Sequence, residues 1–207
     1  MRKVVALLLA LCMVLCLCAC GGKEEEAGVR TGTVSGYKYE NRFLGIGCEL
    51  DESWTYASEE ELAQIIGMTA EMFDDDYADK LKDQDMFYDM MAVTEEGLVS
   101  INVVIQNIGL LYGAALSEEK YLDAAEETLV QELGSAGMDN VKTTRITQNF
   151  AGSEHNGLRI SSTIQGVPYY CTQMCFKQGK YIATVSLCSF SEDLGDELMS
   201  YFYALEA

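Results

Sequence analysis

Val99, Ile101, Val103 and Ile105 alternate with Ser100, Asn102 and Gln106 along residues 98–108. A period of two sends successive side chains to opposite faces, so this stretch is a strand with one covered face and cannot be a surface helix. Residues 86–94 read as its hairpin partner across the turn Glu95-Glu96-Gly97. Four more strands are expected at residues 141–150, 158–165, 169–176 and 181–190, joined by turns at 152–157, 166–168 and 177–180. Two short strands, 37–43 and 44–50, lead to Trp54, the only tryptophan. Hairpins outnumber parallel crossovers, which predicts an α+β fold: a mostly antiparallel, curved sheet with helices packed on it.

The helices announce themselves by their caps. Ser58-Glu59-Glu60-Glu61 is a capping box, with Gly67 as the stop. A second helical period follows in Met68, Met72, Phe73, Tyr77 and Leu81. Ser117 caps the longest helix, whose covered stripe is Tyr121, Leu122, Ala125, Leu129 and Leu133 and whose stop is Gly134. A closing helix is expected after Ser191, with Leu194, Leu198, Phe202 and Leu205 inward.

The amino terminus does not belong to this fold. Arg2 and Lys3 precede an apolar run over residues 4–17, and 14 residues are too few for the ~20 of a membrane-spanning helix. The run ends in Leu17-Cys18-Ala19-Cys20, which resembles the bacterial lipobox, where a leucine, two small or apolar residues and a cysteine direct lipidation of that cysteine and cleavage before it. Residues 1–19 are thus expected to be a signal peptide and Cys20 the lipidated residue, carrying two acyl chains, enough for stable membrane anchoring. Residues 20–33, rich in glycine and charge, read as a flexible tether. Residues 34–207 then form a single domain outside the cytoplasmic membrane, of a size that supports its own core.

Losing Arg2 and Lys3 with the leader leaves 12 basic residues against 33 acidic ones, a formal charge of −21. That field repels nucleic acid and anionic headgroups, so no nucleic-acid partner is expected. Four of the eight cysteines belong to the leader and its box, and Cys48, Cys171, Cys175 and Cys188 remain. An extracytoplasmic location favours disulfides, and four cysteines allow three pairings. With a four-residue loop at 178–181, Cys171 lies opposite Cys188 and the two form a candidate disulfide. With a two-residue loop at 178–179, Cys171 faces Ser186 instead, and four buried thiols are the alternative.

Chemistry-bearing motifs are sparse. His155 is the only histidine, in Ser153-Glu154-His155-Asn156-Gly157, where Asn-Gly suggests a turn and Glu154 would point away along a strand. No nucleophile or second histidine accompanies it, so neither a catalytic residue nor a metal or other cofactor is expected. Ser117-Glu118-Glu119-Lys120 matches Ser-x-x-Lys but reads as a helix cap with Leu116 stapled against Tyr121. Asp74-Asp75-Asp76, with Asp79, Asp83 and Asp85, is a candidate calcium cluster lacking the spacing of a calcium loop, and a solvated helix face accounts for it. The apolar loop at residues 109–116, with Leu110, Leu111 and Tyr112 at its centre, is the candidate partner or ligand surface.

Tyr39-x-Asn41-x-x-Leu44-Gly45-Ile46, then Leu50 and Trp54, followed by helix, hairpin, helix, a long antiparallel run and a closing helix, resembles the PsbP-like α/β/α domain of many bacterial lipoproteins. The resemblance implies a scaffold that docks proteins or small ligands, generally without catalysis. The chain is therefore expected to be a non-enzymatic, lipid-anchored binding or accessory module for an envelope protein, or alternatively a small-ligand binding lipoprotein; an enzyme of unknown class is the third alternative.

Overall fold

The computed structural model describes residues 31–65, 86–109 and 115–206. Every ladder in it is antiparallel, and the strands form two sheets. The small sheet has the order β1 (Thr33–Ser35), β2 (Lys38–Asn41), β3 (Ile46–Glu49), β11 (Phe202–Ala204). The large sheet runs β4 (Trp54–Tyr56), β5 (Met86–Thr94), β6 (Val99–Asn107), β10 (Tyr181–Phe190), β9 (Val167–Gln178), β8 (Ser153–Ile164), β7 (Met138–Phe150). Helix α1 (Glu59–Ile65) packs on β5, α2 (Glu118–Ser135) lies over β7, β8 and β9, and α3 (Gly195–Met199) is a single short turn.

The large sheet is therefore covered on both sides. Its inner face meets the small sheet across a core of Tyr39, Ile46, Cys48, Phe87, Ile101, Ile105, Val185 and Phe202. The other face meets α2 through Leu122, Leu129, Leu133, Leu158, Ile182 and Cys188. In β10 the odd residues Tyr181, Ala183, Val185 and Leu187 belong to the first core, while Ile182, Cys188 and Phe190 belong to the second. All ten of its residues are buried, as a central strand between two covers requires.

This double cover corrects the reading of residues 98–108 as half-buried. Ser100 and Asn102 are fully buried and Gln106 nearly so. Gln106 meets the demand of burial by accepting a hydrogen bond from the Tyr121 hydroxyl at 3.1 Å.

The expected stripe on α2 is the buried one, Tyr121, Leu122, Ala125, Leu129 and Leu133. Ser117 caps it by accepting from the Lys120 N–H at 3.3 Å. Its end lies beyond Gly134: the helix runs to Ser135, and Gly137 supplies the positive φ of 88° that turns the chain. At α1 the capping box is formed, with the Ser58 N–H donating to Glu61 Oε2 at 2.8 Å and the Glu61 N–H to Ser58 Oγ at 3.3 Å.

Two expectations fail for the same reason. The closing helix stops at Met199, with Leu194 rather than Ser191 at its start, and Phe202 goes into β11 opposite Cys48. The turn expected at 152–157 shrinks to Ala151-Gly152, and β8 begins at Ser153. Asn156-Gly157 lies inside that strand because Gly157 serves close approach: a Cβ there would stand 2.3 Å from the Gln173 carbonyl oxygen of β9. In both places pairing into a sheet outweighed local preference: Phe202 pairs with distant β3, and residues 153–156 pair with the adjacent β7.

Candidate functional site

β5 carries a bulge. Tyr88 pairs with Val104 and Met90 with Val103, leaving Asp89 as the extra residue. The bulge resets the alternation, so Phe87 and Met90 both reach the inter-sheet core while Tyr88 and Met91 face α1. Asp89 is aimed at the rim of the small sheet and is 8% exposed.

Three donors converge on it. The Tyr39 hydroxyl donates to Oδ2 at 2.5 Å, the Asn41 amide to Oδ2 at 2.7 Å, and the Gly32 N–H to Oδ1 at 2.9 Å. Gly32 has to be glycine for this, since a Cβ there would lie 2.3 Å from the Tyr39 ring. Burial pushes the Asp89 carboxyl above its ordinary range, and the bonds from Tyr39, Asn41 and Gly32 pull it partly back. The Tyr39 hydroxyl is driven well up, by burial first and by the Asp89 charge second.

Beside this cluster opens a cavity of about 540 Å³ between β1, the β4–α1 corner and β5. Leu62, Met90 and the rings of Tyr56 and Tyr88 supply apolar wall; Asp89, Glu59 and Glu61 supply carboxylates. No lysine or arginine is among its described lining residues. The volume suits a small ligand or a partner's side chain, and the lining opposes an anionic group.

His155, the histidine considered for catalysis, is tied elsewhere. Its Nδ1 lies 3.0 Å from Glu118 Oε1, and its ring lies 4.1 Å from that of Phe176. Glu118 is the first residue of α2 and also accepts from the Asn156 N–H at 3.2 Å and the Lys177 N–H at 3.2 Å. Burial by itself would raise this carboxyl, but the bonds from His155, Asn156 and Lys177 outweigh it and hold it below its ordinary value. The cluster fastens the start of α2 to β8 and β9.

Hairpin β9–β10 closes on the two-residue turn Gly179-Lys180, in the register that sets Cys171 opposite Cys188 and not opposite Ser186. Their sulfurs lie 2.8 Å apart. Cys175 faces Thr184 in the same hairpin, and Cys48 sits in the inter-sheet core. Burial pushes both of those thiols up to about 12, so neither is a ready nucleophile. Cys20, Leu110, Leu111, Tyr112 and the acidic run at 74–79 lie outside the described residues. Among the described residues no group of three or more His, Cys, Asp or Glu is placed to hold a metal ion.

Sequence reading passed over Asp89 and Glu118. A lone acid inside Phe87-Tyr88-Asp89-Met90-Met91 is the signal that marks the first. Glu118 was hidden in a capping pattern whose partners come from strands 37 to 59 positions away.

No family model matches the chain. No curated protein matches it either. Among solved structures, LpqN, described as involved in cell envelope biogenesis of Mycobacterium tuberculosis, superposes with a TM-score of 0.37 and 11% identity over 75% of this chain and 75% of that one. At that level the likeness carries no weight for what this chain does.

Proposed function

We propose that this chain is an extracytoplasmic lipoprotein, held to the membrane by a lipidated Cys20, whose α+β domain of PsbP-like kind is a non-catalytic binding or accessory module for an envelope protein. The observation that carries the reading is the coincidence of Arg2 and Lys3, an apolar run of 14 residues and Leu17-Cys18-Ala19-Cys20, three separate requirements of lipoprotein export. The glycine- and charge-rich segment after Cys20, which stops short of the expected residue 33 because Gly32 bonds to Asp89 and Thr33 belongs to β1, and a mature charge of −21 fit a soluble body lifted from an anionic surface.

The cavity beside Asp89 favours a second reading, in which a small neutral or cationic molecule is the ligand. One experiment separates the two. A photo-crosslinking residue replaces Val34, which is 47% exposed on β1 and lines the cavity. A control probe at Glu127, on the exposed face of α2, is run in parallel in the native envelope. A discrete protein adduct from Val34 alone supports docking. A small-molecule adduct at Val34 supports the second reading, and equal labelling from both positions rejects the cavity as the site.

A further inference from the structure

Cys171 and Cys188 sit opposite one another in β9 and β10 with their sulfurs 2.8 Å apart. Whether such a pair can be bridged depends on its phase in the ladder, and backbone bonds at the hairpin's ends give it. The Ser191 N–H donates to the Pro168 carbonyl on the β9 side, while the Phe190 N–H donates to Leu98 on the β6 side. At the other end the Ile108 N–H donates to the Lys180 carbonyl. Even residues of β10 thus bond to β6 and odd ones to β9. Cys188 is even, so Cys171 and Cys188 form a non-hydrogen-bonded pair on the β9 side, where Cα atoms approach to about 4.5 Å, within the range a disulfide spans.

The other pairings fail on distance. Cys175 is four positions from Cys171 along one strand, roughly 13 Å at the rise of a strand, beyond any disulfide's reach. Cys48 belongs to the inter-sheet core, on the far side of the large sheet from the cysteines that face α2. Of the three pairings that four cysteines allow, only the one containing a Cys171–Cys188 bond has a bond that can form, and its second bond cannot.

We infer that the exported protein carries a single disulfide, Cys171–Cys188, stapling β9 to β10 under α2, with Cys48 and Cys175 left as thiols. The inference rests on the extracytoplasmic reading above. The oxidant is a disulfide-bearing donor outside the membrane, a dithiol–disulfide oxidase or a small-molecule disulfide. One cysteine thiolate attacks the donor's disulfide, giving a mixed disulfide and releasing one donor sulfur. The second cysteine's thiolate then attacks the mixed disulfide and expels the other. Two S–H bonds are lost, one S–S bond forms, and both protons end on the donor's dithiol. Cys171 and Cys188 are 4% and 1% exposed, so exchange takes place before α2 docks, and the finished bond is shielded from reductant. The cysteines are 17 positions apart, and closing a loop of that size favours the folded state by about 100-fold.

The test uses the full chain expressed with its leader in its native envelope. Cells are acid-quenched, the denatured protein is alkylated with a light reagent, then reduced and alkylated with a heavy one. The expected product has light Cys48 and Cys175 and heavy Cys171 and Cys188, and an unreduced digest contains the two joined peptides. Reduction should then raise the unfolding equilibrium constant by about 100-fold in the wild type and leave that of C188S unmoved. Light label on Cys171 and Cys188 overturns the bridge, as does heavy label on Cys175. Lipid found on Cys20 of a product with four light thiols rejects the bridge and spares the address, whereas an intact leader on a cytosolic, four-thiol product rejects both.

Discussion

Asp89, tied to the small sheet, and Glu118, at the start of α2, each accept bonds from three donors, and their acidities move in opposite directions. Asp89 is 8% exposed and wedged by a bulge against neutral donors, so loss of water dominates and its carboxyl is raised. The Glu118 side chain is 17% exposed at a helix start and has His155 beside it, so the donated bonds dominate and its carboxyl is lowered. Equal numbers of hydrogen bonds do not give equal electrostatics, and the depth of burial decides the sign. The two covers differ accordingly. α2 is held by a continuous apolar stripe with Glu118 at one end, while the small sheet adds to its apolar core a buried polar knot that ties the segment at Gly32, Tyr39 and Asn41 to β5.

The largest effect is expected where an apolar stripe does most to hold a cover. L122A removes a fully buried side chain from the α2 stripe and should cost about 4 kcal/mol, read by urea unfolding, with hydrogen-exchange protection lost first in α2. D89A leaves the Tyr39 hydroxyl, the Asn41 amide and the Gly32 N–H without their acceptor and should cost about 3 kcal/mol. Its local signature is loss of protection in β1 to β3 while α2 stays protected. If both variants loosen the same segments, the two covers are not independent.

E118Q should cost about 1–2 kcal/mol at neutral pH and sharpen the contrast through its pH dependence. A lowered carboxyl contributes fully above its unfolded-state value and loses that contribution as pH falls through its lower folded value. Wild type and E118Q should therefore converge in acid. For Asp89 the sign reverses: its raised carboxyl gives its full contribution below the ordinary carboxylate range and loses it as pH rises through the folded value. The margin of wild type over D89N should shrink with rising pH, and parallel profiles for the two variants would contradict the comparison. The smallest effect is S58A at the exposed capping box, about 1 kcal/mol.

What the sequence disclosed follows the same division. The stripe of α2, the 86–108 hairpin and the capping box at Ser58 are local patterns, each carried by residues a few positions apart, and they were legible. The small sheet was only partly so, because β11 reaches it from residue 202 to pair with residues 46–48, and Phe202 also satisfies a helical spacing from Leu194 and Leu198. The two-fold cover of β6 was invisible for the same reason: Ser100 and Asn102 look like a solvent face until the layer above them is known. Asp89 depends on a bulge, and nothing in the alternation of β5 announces where the register slips. Cys171 and Cys188 could be paired on paper only by choosing a turn, and Gly179-Lys180 makes that choice.

The central claim is the address written in residues 1–20, and the amino-terminal peptide of the mature chain tests it most directly. Purified from the membrane fraction of its native host and digested, that peptide should begin at Cys20 and carry the mass of a diacylglyceryl group; C20A should abolish both the modification and membrane retention. A chain that keeps residues 1–19, or one whose amino-terminal peptide carries no lipid while the protein stays membrane-bound, would contradict the account.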